Sequence, residues 1–128
     1  MREEGFSLLE LMIYMAIVGI LVMAAVPQYK ASVAMANTTK IQMDLSSLNT
    51  AIALYHAQNG TVPKNVATDL ADYVQNAGSL HPPKGESFLK TGSTISITDE
   101  EYGISKDGLE ATCQSHVLCD FGRKENKT

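Results

Sequence analysis

The sequence lacks the residue patterns that catalysis usually requires. Its three histidines, His56, His81 and His116, are far apart in the chain, and none stands near a nucleophile-elbow serine, a phosphate-binding loop or a helical metal-binding motif. General acid, general base and metal chemistry depend on such groups at defined spacings. We therefore expect no enzyme activity and no cofactor.

Basic residues are also few. The 128 residues contain 10 Lys and Arg against 14 Asp and Glu, which gives a formal net charge of -4. Proteins that bind phosphate backbones cluster their Lys and Arg residues, whereas here only Arg123, Lys124 and Lys127 stand together, in a short polar stretch typical of a solvated surface. The composition predicts no direct nucleic-acid binding.

Charge is missing altogether from residues 11–26, and residues 6–26 form an apolar run interrupted only by Glu10. As a helix, this run is long enough to cross about 30 Å of hydrocarbon. A charged acid at the centre of such a helix costs about 2.5 to 3.5 kcal/mol, and less near an interface. The residues alone leave two interpretations of Glu10: it lies at the favourable N-terminus of the helix near the headgroups, or it meets a cationic partner.

Beyond the apolar run, hydrophobic residues continue at helical spacing. Polar residues separate them, so the pattern predicts that an amphipathic second half extends the same long helix and packs its apolar stripe on a head domain. Asn59 and Gly60 predict the end of the helix, and Pro63 opposes its continuation. The stripe consists of Ile41, Leu45, Leu48, Ile52 and Tyr55.

The remaining residues predict a small α+β head. Residues 65–76 carry apolar side chains at near-helical spacing with Asn65 or Thr68 as a cap, and residues 78–92 are predicted to be a loop. Four short strands with tight connections then predict an antiparallel meander that covers the helical stripe. These strands are residues 94–98, 102–105, 109–113 and 117–121.

The start of the chain resembles the N-terminal signature of type IV pilins and the related pseudopilins of type II secretion. The resemblance rests on Gly5-Phe6-Ser7-Leu8-Leu9-Glu10, followed by Gly19 and Pro27-Gln28-Tyr29. A less specific match, residues 53–63, is similar to the helix end and entry loop of these proteins. The resemblance implies the type IV pilin fold, α+β, in which a long N-terminal helix with a transmembrane half and an amphipathic half packs on a small antiparallel β-sheet head.

The resemblance also implies processing. In this family a prepilin peptidase cleaves a class III signal peptide after the glycine and methylates the new amine, which here means cleavage between Gly5 and Phe6 and N-methylation of Phe6. The implied segments are a leader (residues 1–5), a transmembrane and filament-core helix (6–29), the amphipathic half of the same helix (30–60) and a globular head (61–128). The leader departs from the basic leaders of the family, because Arg2 is outnumbered by Glu3 and Glu4.

A conventional secretory signal is the competing interpretation of the N-terminal run. Such a signal has an apolar core of about 7 to 15 residues, shorter than this run, and no convincing cleavage site of the Ala-x-Ala type follows it. We therefore expect the segment to be retained in the mature protein.

Within a pilin-like assembly, Glu10 gains a role. The Phe6 amine of one subunit would neutralise the Glu10 carboxylate of its neighbour in the apolar filament core and so fix the subunit register. Gly19 and Pro27 both weaken a helix, so the interval between them is predicted to bend or unwind, although membrane helices also tolerate both residues without special purpose.

Cys113 and Cys119 are the only cysteines. Both fall in the part of the chain that would face outside the cytoplasm, so we expect one disulfide, similar to the C-terminal disulfide loop of the family. The alternative is zinc bound by Cys113, His116, Cys119 and Asp120, but this spacing is unlike common zinc motifs. Calcium has no recognisable ligand ladder either, and we expect no metal.

The sequence thus predicts a structural pilin subunit that forms a homo-oligomeric helical filament. Its expected partners are a prepilin peptidase, an inner-membrane assembly platform with its ATPase, and membrane lipid before assembly. It would be a single-pass precursor in the cytoplasmic membrane and then a surface or periplasmic filament. The alternative is a monomeric membrane-tethered extracytoplasmic binding domain, and pilus, pseudopilus and DNA-uptake fibre stay open as subclasses.

Overall fold

A single long helix, α1, runs from Leu8–Asn59 in the computed structural model of the protein, which describes residue 5 and residues 7–124. It ends where the sequence predicts, because Gly60 adopts a left-handed conformation with φ of 69° and its N–H donates to the His56 carbonyl at 2.9 Å. The chain divides into two units, Met1–Ser32 and Val33–Thr128, and α1 contributes to both.

The N-terminal unit exposes the apolar part of α1. All of residues 7–32 are exposed, and they include a stretch of helix that is long and apolar enough to cross a membrane. An exposed apolar surface of this extent is stable only against lipid or other protein. The most exposed of its large side chains are Leu8, Met23 and Tyr29.

Gly19 and Pro27 do not interrupt the helix, which is continuous through both. Local unwinding of this interval is therefore not a property of the subunit in this structure. A bend or unwinding that accompanies assembly stays a prediction. An added Cβ at Gly19 would meet no atom within 4 Å, so nothing in the described chain requires glycine there.

The second unit confirms the predicted apolar stripe. Ile41, Leu45, Leu48 and Ile52 are all at most 1% exposed and form the centre of the core. Tyr55 is half-buried and makes an edge-to-face contact with Tyr73, with ring centroids 5.7 Å apart. The core is completed from the head by Val66, Leu70, Leu89, Ile97, Tyr102, Ala111, Cys113 and Phe121.

The predicted second helix exists but is shorter than expected. It is α2, Val66–Asp69, and its N-cap is Asn65, whose side chain accepts from the N–H groups of Ala67 and Thr68 at 2.8 and 3.2 Å. The helix ends at Leu70, where the chain turns and places this fully buried side chain in the core. Asp69 accepts from the backbone N–H of Lys64, a contact that lowers its pKa.

Within residues 7–124, five short antiparallel strands form two sheets. In the first, β1 (Gly85–Phe88) pairs with β2 (Thr94–Ile97). In the second, β3 (Gly103–Ile104), β4 (Ala111–Cys113) and β5 (His116–Val117) lie in sequence order. The predicted meander is therefore confirmed for β3, β4 and β5 but wrong for β2, which pairs with β1 instead of β3, and the structure confirms an α+β head with antiparallel strands.

Two local predictions were also wrong. Residues 85–88 form β1 although a loop was predicted over 78–92, because α1 supplies partners to this polar segment: Asn37 donates to the Glu86 carbonyl at 3.1 Å, and the Phe88 N–H donates to Thr38 Oγ1 at 2.8 Å. The predicted strand 117–121 contains only the end of β5, followed by a 3-10 turn and an isolated bridge between Leu89 and Phe121.

Replacement of Ser87 by alanine is predicted to stabilise the head. The serine side chain is fully buried in β1, and its hydroxyl has no hydrogen-bond partner among the described residues. A buried, unsatisfied hydroxyl costs about 1 to 3 kcal/mol, so Ser87→Ala should raise the free energy of unfolding by about 1 kcal/mol. Urea unfolding measures this, with Ser96→Ala at an exposed position of β2 as the control that should change little. A clear loss of stability in Ser87→Ala would contradict the assignment.

Candidate functional site

The first turn of α1 is closed by a reciprocal pair of hydrogen bonds. The Ser7 N–H donates to Glu10 Oε2 at 3.4 Å, and the Glu10 N–H donates to Ser7 Oγ at 3.2 Å. This is a capping box, which satisfies two N–H groups that otherwise lack a partner at a helix start. The role of Ser7 was not predicted, although Ser-x-x-Glu before an apolar run is the signature of this motif.

The capping box positions the Glu10 carboxylate without neutralising it. A carboxylate has about four acceptor sites, and the bond from Ser7 uses one oxygen. Its partner is a neutral N–H group, so the negative charge remains on an exposed helix face that is otherwise apolar. The carboxylate can therefore pair with a cation. The attraction between the two charges is stronger in hydrocarbon than in water.

The predicted processing site lies mostly outside the described residues. Phe6 and residues 1–4 are not described, so the cleavage and methylation assigned to Gly5 and Phe6 stay predictions. Gly5 is exposed, and a Cβ added to it would meet no described atom within 4 Å. Packing among the described residues therefore does not require glycine at this position.

Polar side chains of α1 bind the head through its backbone. Besides Thr38 at β1, Gln42 donates to the Phe121 carbonyl at 2.9 Å, and the Ala111 N–H donates to Asn49 Oδ1 at 2.7 Å. Gln42 and Asn49 belong to the polar residues that separate the apolar positions of the stripe. Their spacing of seven residues, two helical turns, is the signal that places them at the edge of the apolar stripe.

A hydrogen bond from Tyr102, the residue before β3, connects this strand to α1. Tyr102 is 4% exposed, and its hydroxyl donates to Asp44 Oδ2 at 2.6 Å, while Lys40 forms an ion pair with the same oxygen at 2.6 Å. Burial, together with the hydrogen bond to Asp44, raises the pKa of the Tyr102 phenol well above its usual value. The tyrosine therefore stays neutral throughout the physiological pH range.

The predicted disulfide is not formed in this structure. Cys113 and Cys119 are both free thiols. Cys113 ends β4 with its side chain fully buried in the core, whereas Cys119 is exposed in the 3-10 turn after β5. The two cysteines lie on opposite sides of the boundary between core and solvent, which the sequence spacing alone does not reveal.

Thiol labelling tests this arrangement. We expect iodoacetamide to modify Cys119 but not Cys113 in the folded, unreduced protein at neutral pH, and to modify both in urea. The thiolate is the reactive form, and burial raises the pKa of the Cys113 thiol to about 12. Peptide mass spectrometry reads the two sites separately. If neither cysteine reacts until the denatured protein is reduced, the disulfide exists after all.

The raised pKa values also predict alkaline sensitivity. Burial raises the pKa of Cys113 from 9.0 to about 12 and raises that of Tyr102, so both stabilise the fold fully below the pKa of the unfolded chain. This stabilisation is lost as the pH rises from about 9 towards 12, since the unfolded chain then releases the protons. Urea midpoints should fall over this range. The urea midpoint of Tyr102→Phe, which has no phenol to titrate, should fall less steeply with pH. An identical pH dependence of the two midpoints would contradict the role of Tyr102.

No group of three His, Cys, Asp or Glu side chains is placed to hold a metal ion within the part of the chain that the structure describes. Of the four ligands considered for zinc, His116 Nδ1 and Asp120 Oδ2 approach each other at 3.5 Å. Of the other two, Cys113 is buried and Cys119 is exposed.

Comparison with known proteins agrees with the site at the helix start. Residues 1–26 match the family model described as the prokaryotic N-terminal methylation motif. Two Type IV major pilin proteins PilE1 of Neisseria gonorrhoeae are 30% and 36% identical to the chain, each over 97% of this chain and over 65% and 71% of the pilin. Fimbrial protein Q of Moraxella bovis is 39% identical over 93% of this chain and 74% of that protein. No solved structure matches the chain significantly.

Sequence and fold together define a pilin-like subunit with an exposed apolar helix and an α+β head. The chain belongs to the type IV pilin family, as the resemblance predicted. It spans 65% of the length of the first of the two gonococcal pilins. Its relatives are structural pilin and fimbrial proteins, and the prediction of a pilin structural subunit rather than an enzyme is confirmed at this level.

Proposed function

We propose that this pilin is cleaved between Gly5 and Phe6, methylated on the Phe6 amine, and stored in the cytoplasmic membrane before it polymerises into a helical filament. The observation that carries the proposal is Glu10, whose carboxylate has no cationic partner among the described residues and is the only charged group in the exposed residues 7–29. The match of residues 1–26 to the methylation motif supports the processing step.

Charge pairing explains why processing and assembly are linked. Cleavage creates a cationic amine on Phe6, and in a stack of subunits this amine reaches the Glu10 carboxylate of a neighbour. The capping box leaves acceptor sites on that carboxylate free and holds it in one orientation. Removing one partner of a buried ion pair costs about 3 to 5 kcal/mol, so an uncleaved or misregistered subunit is disfavoured.

The apolar unit supports a role for an assembly machine. Lipid and neighbouring helices both cover the exposed apolar surface of residues 7–32, so exchange of one for the other conserves most of the burial. Extraction from lipid still separates many apolar contacts before new ones form. An assembly platform with an ATPase supplies the work for that step in our proposal.

The filament that we favour is a long pilus at the cell surface. The relatives are major pilins and fimbrial proteins, and this class of filament is built from many copies of one subunit. Adhesion, motility, secretion and DNA uptake are uses of such filaments. The described residues show no bias among them.

The test is the N-terminus of the filament subunit. Surface material is sheared from cells, imaged by electron microscopy, and analysed by mass spectrometry. We expect filaments of this chain that begin at Phe6 and carry one methyl group on its amine. Filaments whose subunit still begins at Met1 would refute the processing, and a chain found only as a membrane monomer would favour the tethered binding domain. A start near Pro27 would show ordinary secretion.

A further inference from the structure

Opposite charges collect at the two ends of the β1–β2 hairpin. In its register Phe88 pairs with Thr94 at one end and Gly85 pairs with Ile97 at the other. The first end carries Lys90 with the neighbouring Arg123 and Lys124, and the second is followed by Asp99, Glu100 and Glu101. We call these the basic end and the acidic end of the head.

The basic end is built by packing of the final described residues along the hairpin turn. The Lys90 N–H donates to the Asp120 carbonyl at 2.9 Å, and the Gly122 N–H donates to the Phe88 carbonyl at 3.1 Å. The Lys90 stem lies against Gly122, where an added Cβ would be 3.1 Å from the Lys90 Cγ. The Lys90 stem thus packs against glycine backbone.

A second lysine is held in the same way. A Cβ added to Gly92 would be 3.0 Å from the Lys124 Cδ, so this stem also lies over glycine backbone. Lys90, Arg123 and Lys124 are exposed, and none forms an ion pair with another described residue. The carboxylate of nearby Asp120 is directed to the Val117 N–H and to His116 instead.

The acidic end is also only weakly compensated. Glu100 and Glu101 are exposed, while the Asp99 carboxylate accepts from the Gln114 N–H at 3.0 Å. The one ion pair there among the described residues joins Lys84 to Glu100 at 3.8 Å, with side chains 71% and 83% exposed. A pair this exposed contributes little, so the end keeps its negative field.

We propose that the basic end of one head docks on the acidic end of the head of a second copy of this chain. The inference rests on the proposed function, because it concerns the contact between subunits in the filament. Two different surfaces at opposite ends of one sheet make a head-to-tail contact, and such heterologous contacts build open helical polymers. Charge complementarity sets the register of the contact and its rate of formation.

The overall charge argues for this arrangement. The chain has a formal net charge of -4, so copies that meet at random surfaces repel each other. Attraction requires that unlike patches face each other. Anionic lipid headgroups are the competing occupant of the basic end, but they leave the acidic end without a partner.

Charge reversal of each end tests the contact in the full-length protein expressed in cells. The first variant combines Lys90→Glu with Lys124→Glu, and the second combines Glu100→Lys with Glu101→Lys. Alone, each presents like charges at both ends, so we expect the yield of sheared filaments to fall about tenfold or more. Expressed together they are complementary, and the yield should return to within about threefold of the wild type.

Lys106→Glu is the control, because Lys106 is exposed in the connection from β3 to β4 and belongs to neither end. It should assemble like the wild type. Near-ultraviolet circular dichroism of detergent-solubilised subunits shows whether each variant folds. If a reversal prevents folding, Lys90→Gln with Lys124→Gln removes the charge alone and should still lower the yield, by about threefold.

The outcomes separate this inference from the proposed function. Absence of wild-type filaments contradicts the proposed function itself. If wild-type filaments form and the folded reversal variants assemble equally well, only the head-to-tail contact is wrong. A loss of yield that co-expression does not restore, with less of the first variant in the membrane fraction, would assign the basic end to anionic headgroups and overturn the proposal.

Discussion

Glu10→Gln is expected to abolish filament formation while the first turn of α1 stays closed. Glutamine at this position of a capping box still accepts from the Ser7 N–H, whereas it carries no charge for the amine of a neighbouring Phe6. An uncompensated buried cation costs about 3 to 5 kcal/mol for each subunit contact, which a cooperative polymer repeats along its length. Electron microscopy and the mass of sheared protein measure the result.

Two further variants separate charge from capping. Ser7→Ala keeps the carboxylate but loses the hydroxyl that accepts from the Glu10 N–H, at a cost of about 0.5 to 2 kcal/mol, so it should reduce filament yield without abolishing it. Glu10→Ala loses both the charge and the acceptor for the Ser7 N–H. It should abolish filament formation, as Glu10→Gln does. Normal filaments from Glu10→Gln together with none from Glu10→Ala would show that capping, not charge pairing, is what Glu10 contributes.

Leu45→Ala is expected to lower the free energy of unfolding of the head by about 2 to 5 kcal/mol. Leu45 is fully buried at the centre of the stripe, so truncation removes apolar burial and leaves a cavity beneath the sheets. A loss of this size is a large fraction of the stability of a small domain. Urea unfolding in detergent micelles, followed by the near-ultraviolet signal of tyrosine, measures it.

Met43→Ala is the matched control on the same helix. Met43 is 66% exposed and outside the core, so its truncation should change the free energy of unfolding by less than about 0.5 kcal/mol. Equal effects at the two positions would mean that the apolar stripe does not form the core. The comparison holds helix propensity nearly constant, because Leu and Met are similar helix formers.

The long helix and its buried face were predictable because they depend on spacing along one chain segment. The interval from Ile41 to Tyr55 repeats at helical period, and Gly60 has the freedom that a helix end requires. The importance of Glu10 at the start of the helix was predictable for a similar reason, since it is the sole charge in a long apolar run. Only Ser7 was overlooked there, although its motif is local.

The head was harder to predict because its strands are very short and are stabilised by distant partners. β1 contains no buried large apolar side chain, and two of its backbone groups are bound by Asn37 and Thr38, some 50 positions away in the sequence. β5 contains two residues before the chain turns to bury Phe121. Strand propensity carries little information when packing with other segments decides the outcome.

Spacing and composition along the chain were enough to predict an apolar helix with one acid near its start, its amphipathic continuation and a small α+β head. These features depend on the hydrophobic period and composition of neighbouring residues. Tertiary structure alone decided how five strands divide into two sheets, why Cys113 is buried while Cys119 is exposed, and which charges meet at the ends of the hairpin. These features depend on contacts between segments that are far apart in the chain, and residue spacing does not encode such contacts directly.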